Sequence, residues 1–327
     1  MSTTPRTRLR TRLHAQRIPA AFALITAATL TLTACGSGGG DGGAGGAAPA
    51  GKSAKIPTTD VVSAVKKDEA AAKLLPADVR AKGSLRLATS VGGTPPGTTY
   101  LEDGKTLVGQ DVDFADAVAK VLGVELDREE ASFEAILPAL DSGKYDLGTG
   151  NFGVTDERRK TLDFVTYIND GQGFAARKDS ELTKVTDFTQ LCGLNVATGA
   201  GTTFEATLED NKHLCSKAGK EPYSVKTYAD SSAIWSSLQQ GRTDVVMSTI
   251  NGLRYAVKQQ EGVKFLNEFH RLDVGFAFKK GTKLAPAFRA AVDQLIKDGT
   301  YERILKKWGT QPSAIKKSQI SPPEIKD

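Results

Sequence analysis

Short apolar segments alternate with amphipathic helical segments along much of the chain. This alternation limits the folds that the chain can adopt more than any other feature of the sequence. The first series begins with the strand-like segment SLRLATS (84–90) and continues with GQDVDFADAVAKVLG (109–123), whose apolar positions recur at helical spacing. A second series begins at GLNVATG (193–199). Strands that alternate with helices build parallel sheets covered by helices on both faces. The pattern therefore predicts an α/β protein with open, mostly parallel sheets.

Two further strand-like segments interrupt this repeat and resemble each other. GQGFAARK (171–178) and DVGFAFKK (273–280) bracket the second series, which predicts that they are the crossings between two lobes. We expect lobe 1 to comprise residues 56–175 and 277–327, and lobe 2 to comprise residues 176–276. Because ligands of open α/β sheets bind beyond the carboxyl ends of the strands, the site is expected in the cleft between the lobes.

The first 34 residues differ from the rest and are typical of a signal peptide. Five arginines precede an apolar run that is too short for a membrane span, and small residues lead to Cys35. The ending Leu-x-Ala-Cys resembles a lipobox, in which Cys35 would carry a lipid; an ordinary secretory signal is the alternative. A glycine-rich segment at 35–55 favours the lipoprotein interpretation, because it would serve as a flexible tether.

The charge balance excludes one class of partner. The chain has 43 basic and 38 acidic residues, and five of the basic residues precede Cys35, whereas no acidic residue does. The remainder carries 38 residues of each sign, so we expect no nucleic-acid partner.

The cysteines and histidines of the chain indicate which disulfides and metal sites to expect. Cys192 and Cys215 are an even pair, and in an oxidising compartment they are expected to form a disulfide; two free buried thiols are the alternative. His213 and His270 have no ligand-like spacing to these cysteines, so neither a metal site nor a cofactor is expected.

Five blocks occur in an order that is similar to a known family. They are GQDVDFADAVAKVLG, the long run FEAILPALDSGKYDLGTGNFGVTDERRKTLDFVTYINDGQGFAARK, LCGLNVATGAGTTFEATL, LQQGRTDVVMST and DGTYERILKKWG. Over roughly residues 75–310, the chain resembles solute-binding proteins of the polar amino-acid type, family 3, which serve ABC importers. The resemblance implies a two-lobed clamshell with two hinge crossings. It also implies a monomer, anchored outside the cell membrane, that carries a small ligand to an importer permease.

The segment TGNFGVTDERR (149–159) carries the most specific part of the resemblance. Thr155 is a good helix N-cap, which would place Arg158 in the first turn, beside the end of a buried strand. The resemblance implies that Arg158 holds the α-carboxylate of the ligand, and that Asn151 and Gly153 also contact the ligand. The alternative is an exposed helix arginine, which is the interpretation we give to Arg159.

Other candidate ligand residues lie on both predicted lobes. The resemblance implies that Phe133 forms an aromatic wall, although it is also a plausible core residue. In lobe 2, Thr202, Thr203 and Phe204 open a predicted helix whose N-terminus could bind an anion. The alternative is an ordinary helix cap with no ligand.

Two positions depart from the family pattern, on the side expected to bind an ammonium group. Thr249 stands where relatives carry an aspartate, and Ser90 stands where they carry an acidic residue. The sequence therefore predicts a carboxylate-bearing ligand, an amino acid or a derivative, and leaves open whether it has a free α-ammonium group.

Three functions are compatible with these features. The first is a binding subunit of an ABC importer, without catalysis. The second is an enzyme similar to cyclohexadienyl dehydratases, which share the clamshell and also bind a carboxylate. The third is a ligand-sensing module that signals to a partner.

Overall fold

A computed structural model describes residues 55–326 of the chain. The predicted signal peptide, the predicted lipidation site Cys35 and nearly all of the predicted tether lie outside these residues. Within the described part, no helix combines the length and the apolar character that crossing a membrane requires.

The elements follow the predicted alternation. The strands are β1 (Ser84–Ser90), β2 (Thr99–Tyr100), β3 (Leu107–Val108), β4 (Glu125–Ala131), β5 (Leu147–Gly153), β6 (Leu162–Arg177), β7 (Asn195–Gly199), β8 (Ser224–Tyr228), β9 (Val245–Thr249) and β10 (Val263–Lys279). The α-helices are α1 (Glu69–Ala72), α2 (Ala77–Lys82), α3 (Gln110–Leu122), α4 (Phe133–Asp141), α5 (Thr203–Asn211), α6 (His213–Lys217), α7 (Ser231–Gln239), α8 (Ile250–Gln259), α9 (Ala285–Lys297) and α10 (Thr300–Trp308). Three short 3-10 turns lie at Arg158–Lys160, Phe188–Leu191 and Gln311–Ser313.

Eight strands form one sheet in the order β4-β1-β5-β10-β6-β9-β7-β8. Strand β1 pairs in parallel with β4 and β5, and β7 pairs in parallel with β8 and β9. The two central strands are antiparallel to each other and to their outer neighbours. The α/β clamshell class is thereby confirmed. We call the half with β4, β1 and β5 lobe 1, and the half with β9, β7 and β8 lobe 2; the predicted residue boundaries of the lobes stay a prediction.

The two crossings are longer than the sequence indicated. Strand β10 begins at Val263, ten residues before the segment 273–280 that was expected to be the crossing. Its pairing with β6 runs from Val263↔Arg177 to Lys279↔Leu162, so the two halves share a continuous ladder. The two long strands therefore join the half-sheets of the lobes into one sheet.

Helices cover both faces of each half, as strand alternation requires. Neighbouring residues on one strand enter different apolar clusters: in lobe 2, Val245 and Met247 pack with Tyr223, whereas Val246 packs with Trp235. Because successive side chains of a strand point to opposite faces, each half has a core above and below the sheet.

The C-terminal segment covers an open edge of β6. Beside the stretch of β6 that does not reach β9, the N–H of Thr166 donates to the carbonyl of Gln319 (3.0 Å), and Ser321 donates to Phe164 (2.9 Å). Further on, the Asp156 N–H donates to the Glu324 carboxylate (2.9 Å). Covering an edge strand in this way removes a template for pairing between molecules.

The disulfide predicted from the cysteine pair is present. Cys192 follows the 3-10 turn before β7, and Cys215 lies in α6 and is buried in the core of lobe 2. The bond therefore ties a short helix to the segment that leads into β7, at a separation of 23 residues.

We predict that the variant Cys192→Ser/Cys215→Ser loses about 3 kcal/mol of unfolding free energy, because an open loop of this size gives the unfolded chain more entropy. Urea unfolding of the variant and of reduced wild-type protein measures the loss, and the two should agree. A loss below about 1 kcal/mol would contradict the prediction.

Candidate functional site

A cavity of about 150 Å³ lies between the two lobes. Lobe 1 contributes the ends of β1 and β5, the loop after β1 and the start of α4; lobe 2 contributes the ends of β7 and β9 and the starts of α5 and α7. The cavity is thus at the carboxyl ends of the parallel strands, where the fold predicts a ligand. All nine predicted ligand residues line it: Ser90, Phe133, Asn151, Gly153, Arg158, Thr202, Thr203, Phe204 and Thr249.

Arg158 connects the two walls of the cavity. Its Nη1 donates to the carbonyl of Gly153 (3.1 Å) and its Nη2 to that of Gly201 (3.3 Å) in lobe 2. The side chain is half-buried, and burial lowers the pKa of Arg158 to about 10, so the guanidinium stays charged at neutral pH. Its central carbon lies 5.8 Å from the ring centroid of Phe133, within cation–π range.

The turn that carries Arg158 is shorter than predicted. Thr155 does act as a cap, since its Oγ1 accepts from the N–H of Arg158 (3.2 Å). The chain then makes a single 3-10 turn instead of an α-helix. Its first residue, Arg158, is still directed at the cavity.

Arg159 is not the solvated charge that the sequence suggested. Its Nε donates to the carbonyl of Ser321 (3.0 Å), and its Nη1 contacts the Asp156 carboxylate (2.7 Å). It lies outside the cavity lining and holds the C-terminal segment. Of these two adjacent arginines, Arg158 therefore faces the cavity and Arg159 contacts the C-terminal segment.

Asn151 is held in an uncommon backbone conformation at the cavity floor. Its φ is 54°, in the left-handed region that asparagine tolerates better than most residues. Its Nδ2 donates to the Asp170 carboxylate (3.2 Å), whereas its Oδ1 is buried and has no hydrogen-bond partner among residues 55–326. Unpaired buried acceptors and left-handed non-glycine residues concentrate at functional sites.

The start of α5 faces the cavity from lobe 2. Thr202 is its N-cap and accepts from the N–H of Glu205 (3.3 Å), while the Glu205 carboxylate accepts from the N–H of Gly201 (2.7 Å). The cap at Thr202 is therefore formed, whereas Glu205 accepts from the residue before the cap instead of from the Thr202 N–H of a capping box. The next residues, Thr203 and Phe204, present the first turn of a helix, whose partial positive charge favours an anion.

Phe133, Thr249 and Ser90 have structural roles as well as a place in the lining. The Phe133 ring packs on Phe152 (4.9 Å between centroids), so it is partly a core residue. Thr249 is the N-cap of α8, and its Oγ1 accepts from the N–H of Gly252 (3.1 Å). Ser90 ends β1.

Three carboxylates in the lining were missed by sequence reasoning: Asp111, Asp170 and Asp230. Asp230 is exposed and caps α7 through the N–H of Ala233 (2.9 Å). Asp170 and Asp111 are buried. For Asp170 a signal existed, because a carboxylate inside the otherwise buried strand YINDGQGFAA is uncommon.

The pKa values of the two buried carboxylates, Asp111 and Asp170, are raised. Burial raises the pKa of Asp111 to about 6, against a hydrogen bond from the Tyr167 hydroxyl (2.6 Å). Burial also raises the pKa of Asp170 to about 6, although it accepts from the N–H of Asn251 (3.2 Å). Among the described residues, no cluster of histidine, cysteine, aspartate and glutamate could hold a metal ion.

We predict that ionising Asp111 lowers the stability of the folded state. Its folded pKa of about 6 exceeds the ordinary value of 3.8, so the cost is absent well below pH 3.8, grows as the pH rises, and is complete above about pH 7 at about 3 kcal/mol. Asp111→Asn removes this titration. Urea unfolding at pH 4 and pH 7 should show the variant gaining about 2 kcal/mol relative to wild type between the two values, because a small part of the cost is already present at pH 4; a constant difference would contradict the assignment.

Comparisons with known proteins agree with this architecture. A family model described as bacterial extracellular solute-binding proteins, family 3, matches residues 85–311. An arginine-binding protein of Corynebacterium glutamicum is 29% identical over 71% of this chain and 77% of its own length. An L-cystine-binding protein of Escherichia coli K12 is 32% identical over 70% of this chain and 84% of its own. A solved ancestral arginine-binding protein bound to arginine has a TM-score of 0.62 and 33% identity, covering 69% of this chain and 98% of its own. The chain therefore belongs to the bacterial extracellular solute-binding proteins of family 3.

Proposed function

We propose that this protein is a lipid-anchored binding subunit of an ABC importer that captures an amino acid by its carboxylate. The observation that carries the proposal is the cavity between the lobes, which Arg158 lines from one side and the start of α5 from the other. A guanidinium and a helix N-terminus both favour a carboxylate. The volume of about 150 Å³ suits a small solute, since it is below the ~300–1,000 Å³ of pockets for drug-sized ligands.

Closure of the two lobes follows from this arrangement. Arg158 contacts the carbonyl of Gly201 on the opposite lobe, and the Ser231 N–H donates to the carbonyl of Gly92 (3.0 Å). A carboxylate held between Arg158 and α5 would contact both lobes only when they are together. The ligand therefore favours the closed state by its differential affinity, and the closed state is what an importer permease would recognise.

The names of the relatives support an amino acid as the ligand. They bind arginine and L-cystine, which share an α-carboxylate and an α-ammonium group and differ in the side chain. The proposal for this chain is accordingly an α-amino acid, with binding and no catalysis as its role. Screening the purified protein by thermal shift against the twenty L-amino acids and L-cystine tests it, because a bound ligand raises the unfolding temperature. The absence of any shift would overturn it.

The anchor is proposed on the sequence at Cys35 and the glycine-rich segment after it. A lipid on Cys35 followed by a flexible chain keeps the binding domain near the permease while leaving it free to turn.

We predict that Arg158→Gln weakens binding of the amino acid found in that screen by about 10- to 150-fold, since a hydrogen bond to a charged group contributes about 1.5–3 kcal/mol. Titration calorimetry measures the change. Arg159→Gln is the matched control, because Arg159 is adjacent in sequence and lies outside the cavity; it should bind like wild type. Equal losses in both variants would contradict the role of Arg158.

We predict that Cys35→Ser removes the protein from the membrane fraction of the producing cells, because no acyl chain can then be attached. Immunoblots of membrane and soluble fractions, with labelling by a fatty-acid analogue, check this. Wild-type protein should carry the label, and a variant that stays in the membrane fraction would exclude this anchor.

A further inference from the structure

We propose that Asp170, together with Asn151, binds the α-ammonium group of the ligand, so that the carboxylate absent at Thr249 is supplied from the neighbouring strand. The inference rests on the proposed function, since it concerns the opposite end of the same amino acid. It assigns a residue that the sequence comparison did not indicate.

Asp170 is adjacent to the position it would replace. In the pairing of β6 with β9, Gln172 is opposite Thr249, and Asp170 lies two residues from Gln172 on the same face of β6. After Thr249 the chain enters α8, and the Asn251 N–H reaches the Asp170 carboxylate at 3.2 Å. The Thr249 hydroxyl oxygen, by contrast, accepts from Gly252 at the start of α8 and carries no charge.

Asp170 and Asn151 have more hydrogen-bond acceptor positions than the surrounding donors fill. The Asp170 carboxylate has about four lone-pair positions. Asn151, Asn251 and the backbone N–H of Gly171 donate to it, which leaves about one position open. Asn151 turns its amide nitrogen toward Asp170, which leaves Oδ1 as a second buried acceptor with no partner in the described part of the chain. An ammonium group has three donors and no acceptor, so it matches this set.

The residues of β5 to which Arg158 and Asp170 are bonded are spaced on the scale of an α-amino acid. Arg158 is bonded to Gly153 and Asp170 to Asn151, and these two residues of β5 are about 7 Å apart by the rise of a strand. In an α-amino acid the nitrogen and the carboxyl carbon are about 2.5 Å apart. Adding a charged hydrogen bond of about 2.8 Å at each end gives about 8 Å, which is similar to this spacing.

The charges around Asp170 are compatible with this role. Arg271 on β10 favours the ionised form, and its guanidinium is also engaged by Glu268. Tyr167 on β6 has a pKa raised well above its ordinary value by burial, so it stays neutral. Asp111 on α3 is the other buried carboxylate of the lining, and the Tyr167 hydroxyl donates to it. The pKa of about 6 for Asp170 means that a bound cation would complete its ionisation near neutral pH.

A purely structural role is the competing explanation, because Asp170 also accepts from the first turn of α8. The two explanations differ in ligand discrimination. A structural aspartate affects all ligands alike, whereas an ammonium-binding aspartate affects only ligands that have the ammonium group.

The test uses two amino acids and their des-amino analogues on the purified protein: L-arginine with 5-guanidinopentanoate, and L-glutamine with 4-carbamoylbutanoate. Calorimetry at pH 7.5 should show wild type preferring the amino acid in at least one pair by about tenfold or more. Asp170→Asn should reduce that preference by about tenfold and leave affinity for the analogue within about threefold. Asp113→Asn is the matched control, because Asp113 is a buried carboxylate outside the cavity; it should keep the wild-type preference.

A second measurement uses only the wild-type protein, so it does not depend on whether a variant folds. From pH 7.5 to pH 5, wild type should lose about tenfold in affinity for the amino acid, as protons compete for Asp170, and less than about twofold for the analogue. The inference is overturned if Asp170→Asn keeps the wild-type preference for the amino acid over its analogue. It is also overturned if the affinities for both compounds of the pair depend equally on pH.

Two remaining outcomes separate the inference from the proposed function. If the analogues bind wild type as tightly as the amino acids, the role of Asp170 is wrong while capture of a carboxylate stands. If none of the four compounds binds, the inference is overturned, and the wider thermal-shift screen decides separately on the proposed function.

Discussion

The antiparallel ladder between β6 and β10 is the interaction on which the rest of the structure depends. It joins two half-sheets that would otherwise be separate, and it places the cavity beside its middle. Irregularities in its register occur between Phe265 and Asn267, Glu268 and His270, and Val274 and Gly275. Such shifts bend and twist a strand pair locally. Gly171 in this region has a φ of 146°, and a side chain there would meet the carbonyl of His270 at 2.2 Å, so the backbones approach too closely for any other residue.

This ladder also explains the charge arrangement of the site. Asp170 is in the middle of β6, where it has left lobe 1 and has not yet paired with β9. A carboxylate there is reached by Asn151 from lobe 1 and by Asn251 from lobe 2. Arg158 makes a similar connection through Gly153 and Gly201. Arg158 and Asp170 are therefore each bonded to both lobes.

Most of the fold could be predicted from the sequence, because local patterns determine it. Helix α3 has a continuous apolar face and is capped by Gly123 in the left-handed conformation, and its bounds agree with the predicted segment 109–123 to within one residue at each end. The length of β10 could not be predicted. Its middle, NEFHRLD (267–273), is mostly polar and lacks the apolar alternation by which strands are recognised, and Phe269 is its one residue that packs against the lobe 2 core.

In the candidate site, too, some residues could be predicted from the sequence and others could not. Residues that follow a strand and open a helix, such as Thr202, were predictable because a cap has a local signature. The role of Arg159 depends on Ser321, which is 162 residues away, and no local pattern contains such a contact. Asp170 was missed for a related reason, because its partners lie on β5 and α8.

The C-terminal segment has a consequence for the time at which the site becomes complete. The turn that carries Arg158 is fastened to Glu324, 168 residues further along the chain. A growing polypeptide that has emerged as far as lobe 2 already contains Arg158, Thr202 and Thr249, but the turn still lacks this support. This wall of the cavity therefore depends on a segment that is synthesised well after lobe 2.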